Sequence, residues 1–125
     1  YHAVNFFLQH PDVFNKVIAL SGVYDARFFV GDCLDDEAIY QNSPADYIWN
    51  QNDGWFIDRY RNADIIVCTG LGAWEQDGLP SFYTLKEAFE HKNIPAWFAE
   101  WGYDVSHDWI WWRKQMPYFL NQLNL

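Results

Sequence analysis

The stretch ADIIVCTGLGAWEQDG, residues 63–78, sets the fold class of this chain. Its first part holds the continuous apolar run IIVC, which is typical of a short strand buried on both faces. Its second part is rich in glycine and carries two acidic residues, Glu75 and Asp77. The pattern therefore predicts a buried strand at about residues 64–69 that leads into a polar loop.

Two more segments have the pattern of buried strands. KVIAL at residues 16–20 is a short apolar run closed by Ser-Gly, and NIPAWFAEW contains a third strand at about residues 95–100. Segments with helical spacing lie between them, and this alternation favours parallel strands joined by right-handed crossovers. We therefore expect a single α/β domain over residues 1–125, with three parallel strands and flanking helices.

Apolar residues at three- and four-residue spacing predict the main helices. Ser43 and Ser81 are expected to cap two of them, and the last helix runs from about Asp108 to Asn124. Pro117 is expected to bend or weaken this last helix, because proline removes a backbone donor and crowds the preceding turn. Six residues form its predicted apolar face: Trp109, Trp112, Met116, Phe119, Leu120 and Leu123.

The composition narrows the classes of partner. Lys and Arg number 8 against 17 Asp and Glu, which gives a formal net charge of −9. Nucleic acids and anionic membranes bind surfaces with clustered positive charge, so neither is expected as a partner. No stretch of the sequence is long and apolar enough to span a bilayer, no signal peptide is visible, and we expect a cytoplasmic protein.

The polar and glycine-rich residues gather where the three predicted strands end. In open α/β sheets, chemistry takes place beyond the carboxyl ends of the strands. His107 follows the third strand, and a carboxylate past the neighbouring strand can fix its tautomer and stabilise its protonated form. Glu75 and Asp77 are both candidates for that acid. The simpler alternative is that His107 only caps or packs and that Glu75 is a solvated loop residue.

The residues supply no evident nucleophile. None of the four serines lies in a G-x-S-x-G frame. Ser21 follows a strand but lacks the tight strand-turn-helix pattern of an exposed nucleophile, and Ser106 is adjacent to the candidate base in sequence. Cys33 and Cys68 do not suit a disulfide framework or a zinc site, and Cys68, inside an apolar run, is expected to be buried and unreactive. The chain therefore holds a base and an orienting acid without a nucleophile.

Three segments, YHAVNFFLQHPDVFNKVIALSGVYD, TGLGAWEQD and WGYDVSHDWIWWRKQMPYFL, resemble the esterase family of the α/β-hydrolase fold that includes esterase D and the feruloyl and acyl esterases. The resemblance covers nearly the whole chain, and HDW followed by WW is its most specific part. It implies that the three strands are the sixth to eighth of that fold, and that residues 1–12 follow the nucleophile elbow G-x-S-M-G. The serine, both oxyanion donors and strands one to five would then precede Tyr1.

The resemblance also implies roles for residues of this chain. His107 matches the catalytic histidine and general base, and Glu75 is the preferred acid, with Asp77 as the alternate. Leu71 stands where relatives tend to have glutamine, which bears on the polar contacts of its loop. No metal or organic cofactor is implied, and the substrate is a small-molecule ester. Five aromatic residues are candidates for lining an acyl or aryl pocket, with core packing as their alternative role: Tyr24, Trp74, Trp101, Tyr103 and Trp109.

Two functional hypotheses follow for the chain. In the first, it is the C-terminal part of a serine-dependent carboxylic ester hydrolase, supplies the acid and the histidine, and is inactive alone. In the second, it is a truncated, catalytically inactive remnant that acts through association or binding. In the 125-residue chain by itself, the strand at residues 16–20 lacks a neighbour, and its open edge together with exposed apolar surface predicts self-association.

Overall fold

A sheet of three strands lies between helices in the computed structural model, which describes residues 1–123. No helix in this part of the chain is both long and apolar enough to cross a membrane. The elements follow one another in the order α1 (His2–Gln9), β1 (Lys16–Leu20), α2 (Arg27–Val30), α3 (Glu37–Tyr40), α4 (Pro44–Asn50), α5 (Gly54–Arg61), β2 (Asp64–Thr69), α6 (Leu79–His91), β3 (Trp97–Glu100) and α7 (Trp109–Gln122).

Strand β2 is the centre of the sheet and runs parallel to both of its neighbours. Its register sets Ile66 opposite Ile18 of β1 on one side and opposite Trp97 of β3 on the other. Every β2 residue after Asp64 is buried, as expected for a strand with sheet neighbours on both sides and helices on both faces. The continuous apolar run in the sequence is a consequence of this double burial.

Helices cover both faces of the sheet. On one face, Ile65 and Val67 of β2 join the main core with side chains from α1, α4, α5 and α6. On the other face, Ile66 and Cys68 pack with Phe119 of α7. Successive strand side chains point to opposite faces, so the residues of β2 are distributed between two cores. The predicted α/β architecture with three parallel strands is confirmed.

The third strand is shorter than predicted. β3 covers Trp97–Glu100 rather than residues 95–100, and its pairing with β2 begins at its first residue. Pro95 has no N–H group to donate to a ladder, so the pairing starts after it. The strands at residues 16–20 and 64–69 have the predicted bounds.

The two predicted serine caps make different contacts in the structure. α6 has Gly78 as its N-cap, and Ser81 is buried in the first turn, where its Oγ accepts the N–H of Tyr24 at 2.8 Å. Ser43 does occupy the N-cap position of α4, but its hydroxyl accepts the N–H of Ala26 rather than one from its own helix. Both hydroxyls therefore tie a helix to the segment that follows β1.

The last helix exposes much of the face that the sequence pattern predicts to be buried. Phe119 is buried and Trp112 is half-buried. The 14 residues of α7 span about 21 Å, whereas the four residues of β3 span about 13 Å, so the small sheet covers only part of the helix. Three members of the predicted face are exposed: Trp109, Met116 and Leu120.

Pro117 lies inside α7 without ending it. The helix continues as far as Gln122, and its predicted end at Asn124 lies outside the described residues. Phe119, two residues after the proline, anchors this part of the helix in the core against the sheet. That packing offsets the backbone donor that proline lacks.

We expect Phe119→Ala to lower the free energy of unfolding by about 3–5 kcal/mol, because it empties the core between α7 and the sheet. Leu120→Ala is the matched control on the same helix. Its side chain is 41% exposed, and its loss is expected to cost about 1 kcal/mol. Urea denaturation followed by circular dichroism measures both variants, and equal losses would contradict this assignment of the core.

Candidate active site

The loops that follow β2 and β3 are joined through their backbones beyond the carboxyl ends of the strands. Gly72 N–H donates to the carbonyl oxygen of Val105 at 2.9 Å, and His107 N–H donates to that of Ala73, also at 2.9 Å. The backbone of the candidate base is therefore fixed relative to the loop that carries Glu75.

Two glycines make this close approach possible. A Cβ atom on Gly70 would lie 2.3 Å from the carbonyl oxygen of Val105, and one on Gly72 would lie 2.7 Å from the same atom. Both distances are far below the van der Waals contact distance of carbon and oxygen, so a side chain at either position would clash and push the loops apart. The T-G-L-G segment therefore lets the two loops pack backbone to backbone.

Glu75 and His107 are the candidate acid–base pair of the site. Oε2 of Glu75 lies 3.7 Å from Nδ1 of His107. The side chain of Glu75 is 2% exposed and that of His107 is 42% exposed, so the acid is shielded from water while the base stays accessible. Of the two candidate acids, the structure brings Glu75 to the histidine. Asp77 is exposed and lines the adjoining cavity.

Ser21 supplies a hydrogen bond to the buried carboxylate. Its Oγ donates to Glu75 Oε1 at 2.8 Å and accepts the Nε1–H of Trp112 at 3.0 Å. Thr69 Oγ1 lies 3.4 Å from Oε2 of the same carboxylate. A carboxylate removed from water is costly unless it is hydrogen-bonded, so the hydroxyl of Ser21 stabilises its buried position. The one proton of the Thr69 hydroxyl has a closer acceptor in the carbonyl oxygen of Gly70, at 2.9 Å.

The contact between Ser21 and Glu75 is the part of the site that sequence reasoning missed. The sequence pattern indicates no role for Ser21 other than that of a possible nucleophile. The available signal was its place directly after one strand, beside the strand that Glu75 follows. Because parallel neighbours end at the same edge of a sheet, that placement alone puts the two side chains in one neighbourhood.

Two non-glycine residues beside this contact have a left-handed backbone. Ser21 has a φ of 53° and Trp74 a φ of 67°. Such conformations cost on the order of 1 kcal/mol for a residue with a Cβ atom, and they persist only where surrounding contacts hold them. Ser21 is held by its own N–H, which donates to Cys68 O at 2.8 Å. Strain of this kind concentrates at functional sites.

The ring of His107 is held by Trp112. The two rings meet edge to face, with centroids 4.8 Å apart and planes at 88°. α7 begins just after the histidine, and Asp108 caps it by accepting the N–H of Ile110 at 3.3 Å. His107 is therefore fixed by its backbone on one side and by an aromatic ring on the other.

A cavity of about 390 Å³ adjoins Glu75 and His107. Its aromatic lining comes from Phe28 and Phe29 of α2 and from Trp74, which is 81% exposed. The two phenylalanines belong to an irregular part of the sequence, where no periodic pattern pointed to a site. The mixture of aromatic and ionisable lining suits a small molecule with an apolar part and a polar reacting group.

The other aromatic residues predicted to line a pocket lie elsewhere. Tyr24 is fully buried in the main core, and Trp101 packs against α7. Tyr103 is 84% exposed, and Trp109 is exposed with its ring against Trp112. Of the five predicted residues, Trp74 is therefore the one that lines the cavity.

The thiol closest to the site in sequence is unreactive. Cys68 of β2 is fully buried, and this burial, together with the charge of Glu75, raises the pKa of Cys68 to about 12. The thiol therefore stays protonated at neutral pH, and because the thiolate is the nucleophilic form, Cys68 is unreactive, in agreement with the sequence prediction.

Within residues 1–123, no group of three His, Cys, Asp or Glu side chains has the geometry to hold a metal ion.

Comparison with known proteins gives a fold but no family. No protein-family model matches the sequence, and no curated protein matches it. The solved structure of a ferulic acid esterase is similar to the chain, with a TM-score of 0.69 and 20% sequence identity. The alignment covers 91% of this chain and 42% of that one, so the chain spans less than half the length of that esterase. At this identity the similarity shows a shared fold.

Cys33 and Cys68 are expected to differ sharply in reactivity. Cys33 is exposed and Cys68 buried, so iodoacetamide is expected to label only Cys33 in the native protein and both thiols in urea. Raising the pH is not expected to open Cys68 to the reagent, because the side chain is buried and the thiol, with a pKa of about 12, stays largely protonated. Mass spectrometry of the labelled peptides reads both sites. Comparable native labelling would contradict the burial of Cys68.

Proposed function

We propose that this chain supplies the acid–base half of a serine-dependent carboxylic ester hydrolase related to the esterase D-like family. The contact of 3.7 Å between Glu75 Oε2 and His107 Nδ1 is the observation that carries the proposal. A buried carboxylate beside an accessible imidazole, at the carboxyl edge of a parallel sheet, is the arrangement that a hydrolytic triad needs. The fold shared with a ferulic acid esterase supports the same class of reaction.

In this proposal the serine nucleophile lies outside residues 1–125. The hydroxyls of Ser21, Ser43 and Ser81 are engaged in hydrogen bonds within the protein, and Ser106 is adjacent to the base in sequence. We place the nucleophile and the oxyanion donors on a segment that precedes Tyr1 in the complete protein and forms strands one to five of the hydrolase fold. The three strands of this chain would then be the sixth to eighth.

The proposed reaction has two similar halves. The serine Oγ attacks the ester carbonyl carbon while His107 accepts the serine proton. The bond to the alcohol oxygen then breaks, and the imidazolium donates its proton to that oxygen as the alcohol leaves. Water next attacks the acyl-serine by the same route and releases the carboxylic acid. Glu75 fixes the imidazole tautomer and stabilises the imidazolium in both halves.

The cavity favours an ester with an apolar acyl or aryl group. Phe28, Phe29 and Trp74 present aromatic rings there, and such rings offer large apolar contact surfaces. Glu75 and Asp77 line the same cavity, and their negative charge disfavours an anionic substrate. Neutral aryl or acyl esters are therefore the substrates that we propose.

Ester hydrolysis by the complete protein tests the roles of the two residues. On p-nitrophenyl esters of short acids, Glu75→Gln is expected to lower kcat by about 10³- to 10⁴-fold, because it removes the charge that orients and stabilises the imidazolium. His107→Ala is expected to lose at least as much. Asp77→Asn makes the same carboxylate-to-amide change two residues away and is expected to lose far less. Equal losses in E75Q and D77N, or an unchanged rate in His107→Ala, would overturn the assignment.

The 125-residue chain alone is expected to show no serine-dependent hydrolysis of these esters, because its own hydroxyls are engaged or misplaced. The complete protein in the same assay is the positive control. A rate in the isolated chain that is abolished by a serine-directed phosphonate would contradict the placement of the nucleophile outside it.

A second candidate function is association without catalysis. Within the described residues, β1 pairs with β2 alone, so its other edge is open. Phe28, Phe29 and Val30 of α2 are each at least half exposed. Open strand edges and exposed apolar side chains favour binding to another chain. Under this alternative, His107 only packs against Trp112.

Self-association through the β1 edge is the form of this alternative that we expect. Sedimentation velocity of the 125-residue chain, over a range of concentrations, should show a dimer or a larger assembly whose population increases with concentration. A single monomeric species at every concentration would exclude self-association, and it would leave the hydrolase proposal to stand on the activity measurements.

A further inference from the structure

The side chain of Trp112 contacts the base of the site directly and is linked to the acid through Ser21. Its Nε1 lies 3.0 Å from Ser21 Oγ, which in turn lies 2.8 Å from Glu75 Oε1. Its ring meets the ring of His107 edge to face, with 4.8 Å between the centroids. α7, the end of β1 and the loops after β2 and β3 each contribute one of these side chains, so the cluster joins four parts of the fold.

The direction of the hydrogen bonds is fixed by chemistry. The indole Nε1–H of Trp112 can only donate, and a carboxylate can only accept. The hydroxyl of Ser21 therefore accepts from the tryptophan and donates its single proton to Glu75. A hydroxyl that accepts one hydrogen bond is polarised and donates a stronger one. This arrangement also leaves Ser21 no free proton for nucleophilic chemistry.

This hydrogen-bond chain sets which oxygen of Glu75 faces the histidine. Oε1 is held by Ser21, and Oε2 is left toward Nδ1 of His107 at 3.7 Å. Rotation of the carboxylate group would break a hydrogen bond in a place where water does not replace it, since Glu75 is 2% exposed. Ser21 holds this hydrogen bond with a left-handed backbone, at a φ of 53°. Such a conformation is strained for a residue with a Cβ atom.

We propose that Ser21 and Trp112 are positioning residues of the acid–base pair: the hydrogen-bond chain from Trp112 Nε1 through Ser21 Oγ holds Glu75 with its Oε2 toward Nδ1 of His107, an orientation that favours the Nδ1–H tautomer. This inference deepens the proposed hydrolase and rests on it for its catalytic meaning. The hydrogen-bond chain itself is testable without catalysis, because a tautomer has a spectroscopic signature.

Three variants separate the hydrogen bonds from the packing. Trp112→Phe removes the Nε1–H and keeps an aromatic ring beside His107, with Trp111→Phe, the preceding residue of the same helix, as the matched control. Ser21→Ala removes the hydroxyl. Ser21→Gly also removes the hydroxyl, but it relieves the left-handed backbone, because glycine adopts a positive φ at little cost. A purely conformational role for Ser21 would therefore separate Ser21→Gly from Ser21→Ala.

The first readout is the tautomer of His107 in the complete protein labelled with ¹⁵N-histidine. Ring nitrogen shifts recorded at about pH 9, above the ordinary range of imidazole titration, distinguish Nδ1–H from Nε2–H. We expect Nδ1–H to predominate in the wild type and to lose population to Nε2–H in Ser21→Ala, Ser21→Gly and Trp112→Phe. Trp111→Phe is expected to match the wild type, and the exposed His10 is the reference within each spectrum.

The second readout is ester hydrolysis by the same proteins. A misplaced catalytic pair lowers the rate of chemistry more than substrate binding, so kcat is expected to fall by about 10- to 100-fold in the three variants, with KM nearly constant. Trp111→Phe should retain the wild-type kcat. Dispersed amide spectra identify the variants that fold, and the positioning role is then decided from those variants alone.

The outcomes separate the two proposals. An unchanged His107 tautomer in folded Ser21→Gly and Trp112→Phe overturns the positioning role, and so does a wild-type tautomer and kcat in Ser21→Gly combined with a loss in Ser21→Ala. A wild type that hydrolyses no ester while its tautomer responds to the variants overturns the hydrolase proposal instead and leaves the hydrogen-bond chain supported.

Discussion

The hydrogen bond from Ser21 Oγ to the buried carboxylate of Glu75 is the constraint on which the site depends. A charged group at this depth without a partner costs several kcal/mol, so the carboxylate can stay at the sheet edge only while the end of β1 stays in register with it. That register is set by the pairing of β1 with β2. The positions of Glu75 and His107 are therefore consequences of the sheet as much as of their own loops.

The fold could be predicted from the sequence because its strands are short and doubly buried. In a small α/β domain, a short continuous apolar run such as IIVC is typical of a strand in the centre of the sheet. The strands at residues 16–20 and 64–69 have the predicted bounds. The burial of α7 was harder to predict. Helical spacing shows which residues share a face, but it does not show how much of that face the sheet covers, because this depends on tertiary packing. Met116 and Leu120 are exposed for this reason.

The site could be predicted as a meeting of loops but not as a set of contacts. Parallel strands bring their carboxyl ends to one edge, and this rule alone placed Glu75 and Asp77 near His107. The approach of Glu75 to the histidine depends on backbone details such as the left-handed Trp74 beside it, which the sequence does not encode in any regular pattern. Phe28 and Phe29 belong to α2, a single turn with no periodicity to detect.

The position of Trp112 along α7 couples the site to the second core. Phe119, which fills that core, lies about two helical turns from Trp112 and therefore on the same side of the helix. Any fluctuation that lifts α7 from the sheet pulls both side chains away together, one from its apolar neighbours and the other from Ser21. The amides of α7 and the indole N–H of Trp112 should then exchange with solvent through one cooperative opening, so that the geometry of the candidate site and local stability are lost in the same event.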